Sequence, residues 1–381
     1  MTPTPPDPAL AWTGIRWERL AASNPLSEIR SITPWPGGFI AIGALAAVDG
    51  GSPASIDEPV HTRIWVSSDG ATWSLLPVDV LGPSTVVIGI AATADSIVAL
   101  TAQSGRSFCA DVAESRKRVE CWTLAAPVQS WTSSDGAAWA SHPGPDLALP
   151  DDMSGDVGQQ PGLNAGTAPL VVASWYADGR AATSRDGATW QIVPATAPGG
   201  SIVGFGSGFV SIGGTTSKPA ALTSPDGRTW TSHPLPTGCH GNDAFVVGPN
   251  GIILEGDRYN DGGTITVDWC SSLDGRSWRP LVGTPPLGLM DDPRAQECRG
   301  FCVDGTLLGD GSRFLAYRGW AKQVGWTSRD GRAWTPLSFA GWPERSTYWL
   351  DDQCTPSLTM SPIGVTCTDT TGHVWFGAPL T

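Results

Sequence analysis

The chain has 381 residues and a formal net charge of −13, with 36 acidic residues against 23 lysines and arginines. No basic stripe is present, and this charge opposes contact with phosphates, so we expect no nucleic-acid partner and no attraction to anionic membrane surfaces. No segment is apolar for long enough to predict direct membrane insertion, and none shows a sustained helical period, so the chain is expected to be all-β.

The chain opens on Met1-Thr-Pro-Thr-Pro-Pro-Asp-Pro8. We interpret residues 1–10 as a proline-rich linker, and residues 11–381 as a single domain. Eight cysteines without a zinc-type spacing favour disulfides and therefore an oxidising compartment. An extracellular or cell-envelope protein is expected, either secreted or tethered through a segment that precedes this chain.

A Ser-x-Asp-Gly-x-x-Trp motif then recurs along the chain. Its aspartates, in chain order, are Asp69, Asp135, Asp186, Asp226, Asp274 and Asp330. An Asp-Gly pair supplies the positive φ angles of a tight hairpin turn, so each motif predicts a hairpin, whose strands we call c and d. A shorter pair, strands a and b, precedes each motif. Repeats of ~40–50 residues with this patterning are typical of propeller blades.

The two chain ends carry complementary halves of the motif. Gly14-Ile-Arg-Trp17 matches its second half, and His373-Val-Trp375 matches a strand c that lacks its turn. The N-terminal strand is therefore expected to close the last blade as its outer strand. Six whole blades and one shared blade predict a seven-bladed β-propeller with four-stranded antiparallel blades. An open array of β-hairpins is the alternative.

The motif resembles the Asp-box (BNR) repeat of sialidase-like propellers, whose pattern is S-x-D-x-G-x-x-W, although this chain lacks the residue between Asp and Gly. The resemblance implies the fold and says little about enzyme activity. It also implies that Asp69 and its equivalents are structural and lie away from the family's active-site face. Their carboxylates would bind turn amides while the motif tryptophans pack between blades; a calcium or ligand role is the alternative.

Strand direction alternates within a blade, so the b–c and d–a loops share one face. All long insertions fall in these loops, at about 48–61, 104–128 and 258–263 between strands b and c, and at about 144–166, 282–299 and 340–354 between blades. We predict that this loop face is functional, because sites are commonly built on loops that a rigid scaffold positions.

These loops carry acids, aromatic residues and a histidine. The candidate ligand-binding residues are Asp151, Asp152, His240, Asp243, Asp257, Arg258, Asp291, Asp292, Tyr348, Trp349, Asp351 and Asp352. Converging carboxylates suit general acid–base chemistry or a cation such as calcium, and exposed aromatic rings suit stacking on sugars. Surface aspartates also form turns, so a purely structural role stays open. No catalytic set, resident cofactor or metal is assigned.

Three further sets of residues lead to separate expectations. His61 and His373 are placed in neighbouring blades, whereas His142 and His233 occupy one repeat position and are expected to be structural. Cys109 and Cys121 lie in one insertion and are predicted to form a disulfide that fixes it. The pairing of the other six cysteines stays open.

We expect a monomeric, non-catalytic propeller that binds a glycan or a protein partner on its loop face. The alternative is a sialidase-like glycoside hydrolase or a polysaccharide lyase that uses loop carboxylates, which would have to lie about 5–10 Å apart in a cleft. Against a sialidase, the first blade has Arg63-Ile-Trp instead of Arg-Ile-Pro, and the chain has only 4 tyrosines. Scaffolding in a cell-envelope complex is a third possibility.

Overall fold

The fold is known from a computed structural model in which the chain forms two compact units. The structure describes residues 12–20, 29–35, 37–47, 60–77, 79–82, 85–93, 95–105, 123–146, 162–165, 171–175, 180–193, 202–215, 218–237, 239, 244–248, 250–259, 265–281, 306–309, 313–318, 324–341, 359–361, 363–368 and 374–380. Their regular secondary structure is entirely β-strand. Within these ranges, no helix has the length and apolar character needed to cross a membrane.

The first part of the chain supplies short strands from both units. In chain order they are β1 (Gly14–Arg19), β2 (Ile29–Trp35), β3 (Gly38–Ala47), β4 (Val60–Ser67), β5 (Ser74–Leu75), β6 (Thr85–Ala92), β7 (Ile97–Gly105), β8 (Thr123–Ser133), β9 (Ala140–Pro143), β10 (Gly162–Ala165), β11 (Val171–Trp175), β12 (Arg180–Ser184) and β13 (Trp190–Ile192).

The second part continues the same pattern. Its strands are β14 (Ile202–Phe205), β15 (Gly208–Thr215), β16 (Lys218–Ser224), β17 (Thr231–Pro234), β18 (Ala244–Gly248), β19 (Gly251–Tyr259), β20 (Ile265–Ser272), β21 (Trp278–Pro280), β22 (Thr306–Gly309), β23 (Phe314–Arg318), β24 (Val324–Ser328), β25 (Thr335–Ala340), β26 (Thr359–Ser361), β27 (Gly364–Thr368) and β28 (Val374–Leu380).

Unit 2 comprises Glu28–Ser68 and Thr72–Gly199. It contains three antiparallel sheets in which strands follow one another in sequence order: β2 to β5, β6 to β9, and β10 to β13. Apolar side chains of successive sheets form shared cores, one around Ile40, Ile64 and Ile97 and the next around Leu100 and Ala182. The sheets of this unit therefore pack face to face in chain order.

Unit 1 comprises Met1–Ser27, Asp69–Ala71 and Gly200–Thr381. It contains the sheets β14 to β17 and β18 to β21 and an eight-stranded sheet, ordered β22-β23-β24-β25-β1-β28-β27-β26. Val210 and Leu254 share one core between the first two sheets, and Ile253 and Phe314 share a second core between the next two. The same order of packing therefore holds in this unit.

The N-terminal strand β1 lies between β28 and β25. It pairs with β28 in antiparallel fashion, which places Trp17 opposite Gly377, as the two half-motifs predict. It also pairs with β25 in parallel, with Ile15 opposite Phe339, a contact that the motif does not predict. Ile15 is fully buried and Trp17 is 4% exposed, so this strand belongs to the core of unit 1.

Candidate functional site

The six predicted Asp-Gly turns are present, each with a positive φ at its glycine, and the turn at Asp226 illustrates their hydrogen bonds. In the turn after β16, the Asp226 carboxylate accepts the backbone N–H groups of Arg228 and Thr229 at 2.8 and 2.9 Å. Ser224 Oγ accepts the N–H of Gly227 at 2.8 Å, and the Trp230 indole donates to the Gly227 carbonyl at 3.2 Å. The carboxylate binds turn amides, so it has the structural role that the sequence predicts.

These hydrogen bonds also keep the turn carboxylates ionised. Backbone N–H donors, Ala138 foremost for Asp135 and Thr229 for Asp226, hold the pKa of both carboxyls below the ordinary value. At Asp186, Asp274 and Asp330, burial raises the pKa, but hydrogen bonds from the turn amides and the motif serine lower it by more.

The turns at Gly136, Gly187, Gly275 and Gly331 also pack against the sheet before them. Gly275 has a φ of 70°, and a Cβ there would lie 2.6 Å from a methyl group of Val210 in the preceding sheet. In unit 2, Ser130 donates from β8 to the carbonyl of Gly187 in the next turn. The ends of the sheets that carry these turns, which we call the hairpin end, are therefore closely packed around short connections.

The opposite ends of the sheets, which we call the loop end, have long connections. Along the chain these run from β3 to β4, from β7 to β8, from β9 to β10, from β21 to β22, and from β25 to β26. The strand bounds thus agree with the predicted concentration of insertions at one end of the sheets.

Two of the candidate residues lie in a described strand. Asp257 and Arg258 belong to β19, opposite Val267 and Thr266 of β20. They lie beyond the last pair that β19 forms with β18, Ala244 with Glu255, and so occupy the loop end of this sheet. The other candidates lie outside the described residues: Asp151, Asp152, His240, Asp243, Asp291, Asp292, Tyr348, Trp349, Asp351 and Asp352. So do His373, Cys109 and Cys121.

His61 lies near the start of β4 and is 1% exposed. Neither of its ring nitrogens has a hydrogen-bond partner in the structure as described. Burial, and then the charge of Arg63, lower the pKa of its imidazole below 6.5. A neutral imidazole is therefore held at the loop end of the first sheet, next to the connection between β3 and β4.

The two repeat-equivalent histidines make the same contact. His142 Nε2 lies 3.0 Å from Thr132 Oγ1, and His233 Nε2 lies 2.9 Å from Thr223 Oγ1. Each pair joins strand d to strand c within one sheet, which confirms the structural role expected for both histidines.

A disulfide links Cys239, in the connection between β17 and β18, to Cys270 of β20. Both cysteines are 1% exposed and belong to the core shared by sheets β14 to β17 and β18 to β21. The sequence left this pair unassigned, although Cys270 occupies the position where three other motifs have tryptophan. Cys239 directly precedes His240, so the bond fixes the start of a segment that carries two candidates.

The described ranges contain no group of three or more His, Cys, Asp or Glu side chains suited to holding a metal ion. In unit 1, Asp257 and Arg258 lie at the loop end of the sheet β18 to β21. In unit 2, the buried imidazole of His61 lies at the loop end of the sheet β2 to β5.

No protein-family model and no curated protein matches the chain. Among solved structures, the chain is similar to the GH74 xyloglucanase from Xanthomonas campestris, at 13% identity and a TM-score of 0.45, over 96% of this chain and 52% of that one. A streptogramin B lyase is similar at 11% identity and a TM-score of 0.47, over 98% of this chain and 100% of the lyase. A Trypanosoma rangeli sialidase is similar at 10% identity and a TM-score of 0.37, over 97% of this chain and 58% of the sialidase. The chain thus spans about half the length of the xyloglucanase.

Proposed function

We propose that this chain is a seven-bladed β-propeller of the Asp-box type, and that it is a non-catalytic protein that binds a glycan at its loop end. One contrast between the two ends of the sheets supports the proposal. At the hairpin end, the Asp-Gly turns are short and bind their own polar groups. At the loop end, the connections are long and contain acidic and aromatic residues, which suit ligand binding.

The residue types favour a glycan. Tyr348 and Trp349 stand beside Asp351 and Asp352 in the connection between β25 and β26. Aromatic rings that stack on sugars, next to carboxylates that accept sugar hydroxyls, are a common means of carbohydrate recognition. A protein partner is the other ligand that the loop end suits.

The disulfide supports a further part of the proposal, that the protein works outside the cytoplasm. Disulfides persist in oxidising compartments, and the Cys239–Cys270 bond fixes a loop-end connection from within the core. A preordered loop loses less conformational entropy on binding, so such a bond suits a recognition surface.

The intact protein on a glycan array, with and without EDTA, tests the proposed binding and the calcium alternative. We expect a restricted set of glycans to bind, and Tyr348→Ala/Trp349→Ala to lose most of that binding. Leu75→Ala/Ile192→Ala is the matched control, because it also removes two exposed large side chains, from outer strands of unit 2 and outside the connection between β25 and β26.

Three results would contradict the proposal. Turnover of a bound polysaccharide at ordinary enzymatic rates would make the protein a hydrolase or lyase. Capture of a protein partner, with no glycan bound, would replace the glycan by a protein ligand. An experimental structure with another number of blades would remove the propeller assignment.

A further inference from the structure

The position two residues after each motif aspartate changes character along the chain. The first three motifs have alanine there, Ala71, Ala137 and Ala188, and the next three have arginine, Arg228, Arg276 and Arg332. The three arginines are exposed, and so are Ala71 and Ala137, whereas Ala188 is half-buried. The change is confined to one side-chain position in a repeated turn, so it alters the surface without altering the hairpin.

The turn geometry is the same in both sets. The backbone N–H at this position donates to the motif carboxylate at 2.9 Å in Ala71 and 2.8 Å in Ala137, and at 2.8 Å in Arg228, Arg276 and Arg332. The three arginine side chains therefore start from equivalent points at the hairpin end of three sheets.

These three sheets are consecutive within unit 1. The first and second share the core around Val210 and Leu254, and the second and third share the core around Ile253 and Phe314. The turns themselves pack on the preceding sheet, with the Cβ position of Gly331 3.0 Å from Ile253. The arginines therefore form a row whose spacing is set by the packing of the sheets.

The aspartates and the arginines of these three turns differ in their hydrogen bonds within the turn. One oxygen of each turn aspartate, Oδ1, accepts two backbone N–H bonds and one bond from the motif serine, so each carboxylate is held against its own turn. Arg228, Arg276 and Arg332 have no ion-pair partner among the residues that the structure describes, and Arg279 and Arg329 add exposed guanidinium groups beside them. These five arginines outnumber the three turn aspartates, so the balance of charge along the row is positive.

The row lacks the apolar centre of a protein–protein interface. Such interfaces are dominated by buried aromatic and aliphatic anchors surrounded by polar residues. In the described part of these turns, Leu273 is the one large apolar side chain that is exposed, at 45%. Regularly placed guanidinium groups without such a centre suit a chain of anionic groups, because each one can bind a sulfate or carboxylate in bidentate fashion.

We propose that the hairpin end of unit 1 binds an anionic polysaccharide through Arg228, Arg276 and Arg332. This site is separate from the glycan site proposed at the loop end and is tested independently of it. The recognised chemistry is a repeated sulfate or uronate group, and the overall negative charge of the chain restricts binding to this row.

The test measures binding of the full chain to immobilised dextran sulfate, polygalacturonate and neutral dextran over a range of salt concentrations. We expect one or both anionic polymers to bind, with affinity falling as salt rises, and the neutral polymer not to bind. The two anionic arms show whether sulfate or carboxylate is preferred. Arg228→Ala/Arg276→Ala/Arg332→Ala should lose roughly tenfold or more in affinity, since three exposed charge contacts are removed.

The controls come from the chain itself. Alanine already occupies this position in three hairpins, so the triple variant should keep its melting temperature. Arg16→Ala/Arg19→Ala, which removes exposed arginines from β1, and Tyr348→Ala/Trp349→Ala, at the loop end, should both bind as the wild type does. Unchanged binding by the folded triple variant, or equal binding to neutral dextran, would overturn the proposal. Preferential binding to duplex DNA would do so as well, because the ligand would then be a nucleic acid.

Discussion

The described histidines differ in whether the imidazole has a hydrogen-bond partner, and the difference follows their position in the repeat. His142 and His233 each contact a motif threonine on the neighbouring strand, whereas His61 lies outside the repeated position and is buried without a partner in the described structure. The buried Ser271 hydroxyl is also unpartnered there, because Leu281 stands where His142 stands in its own repeat. The hydrogen bond between strands c and d therefore forms only where a histidine on strand d meets a hydroxyl residue on strand c.

His61→Leu is expected to keep or slightly raise stability at pH 7.5, because it removes two unsatisfied buried nitrogens, each of which costs up to about 1–3 kcal/mol. Folding lowers the pKa of His61 below 6.5, so its titration does not reduce the free energy of unfolding above pH 6.5. As the pH drops from 6.5 towards the folded pKa, the free energy of unfolding falls, because the unfolded chain takes up the proton first. His61→Leu should lack this decrease in the free energy of unfolding at low pH. Thermal unfolding across pH 5–8 measures it.

His142→Leu is the matched control for this prediction. It removes the bond to Thr132 and should lower the melting temperature at pH 7.5, by an amount that corresponds to about 1 kcal/mol. If both substitutions lower the melting temperature equally, and the slope against pH is unchanged in His61→Leu, then the buried imidazole is not the source of the pH dependence.

At the scale of elements, the sequence predicts the turns and strand pairs that local residue patterns determine. Asp-Gly turns select hairpins, and the half-motifs around Trp17 and Trp375 predict the pairing of β1 with β28, which the structure confirms. The contact between β1 and β25 and the Cys239–Cys270 bond depend on how whole sheets pack, and no local pattern encodes that. Of the candidate site, Asp257 and Arg258 are placed at the predicted end of their sheet.

The disulfide gives the prediction at this scale. Cys239→Ala/Cys270→Ala should lose about 3–4 kcal/mol in the free energy of unfolding, because the bond closes a loop over a sequence separation of 31 residues. Chemical denaturation of the double variant under non-reducing conditions measures this loss. A midpoint equal to that of the wild type would mean that packing in the shared core, without the covalent bond, holds the two sheets together.

For the molecule as a whole, β1 is the element that joins the start of the chain to its end. Thr13 donates its backbone N–H to the carbonyl of Leu380 at 2.7 Å, and Ser338 donates its own to the carbonyl of Thr13 at 3.1 Å. Trp12, Ile15 and Trp17 fill the core beside these bonds. Removing this strand would leave two strand edges unpaired and an apolar surface exposed.

Deletion of residues 12–20 should therefore lower the melting temperature and cause association that increases with protein concentration. A peptide of residues 12–20 added to the deleted protein should reverse both effects, whereas the same peptide with Trp17→Lys should not. Light scattering and thermal unfolding measure the outcome. A deleted protein that stays monomeric and melts like the wild type would show that β1 contributes little to unit 1.

The hydrogen bond from Thr13 to Leu380 spans 367 positions of the sequence. A ribosome delivers Thr13 long before Leu380, so this contact cannot form until the whole stretch between them has been made. Loop closure over such a distance is slow. Trp12 and Trp17 therefore stay without this part of their core until β28 has been made, and during this delay they are accessible to chaperones and proteases.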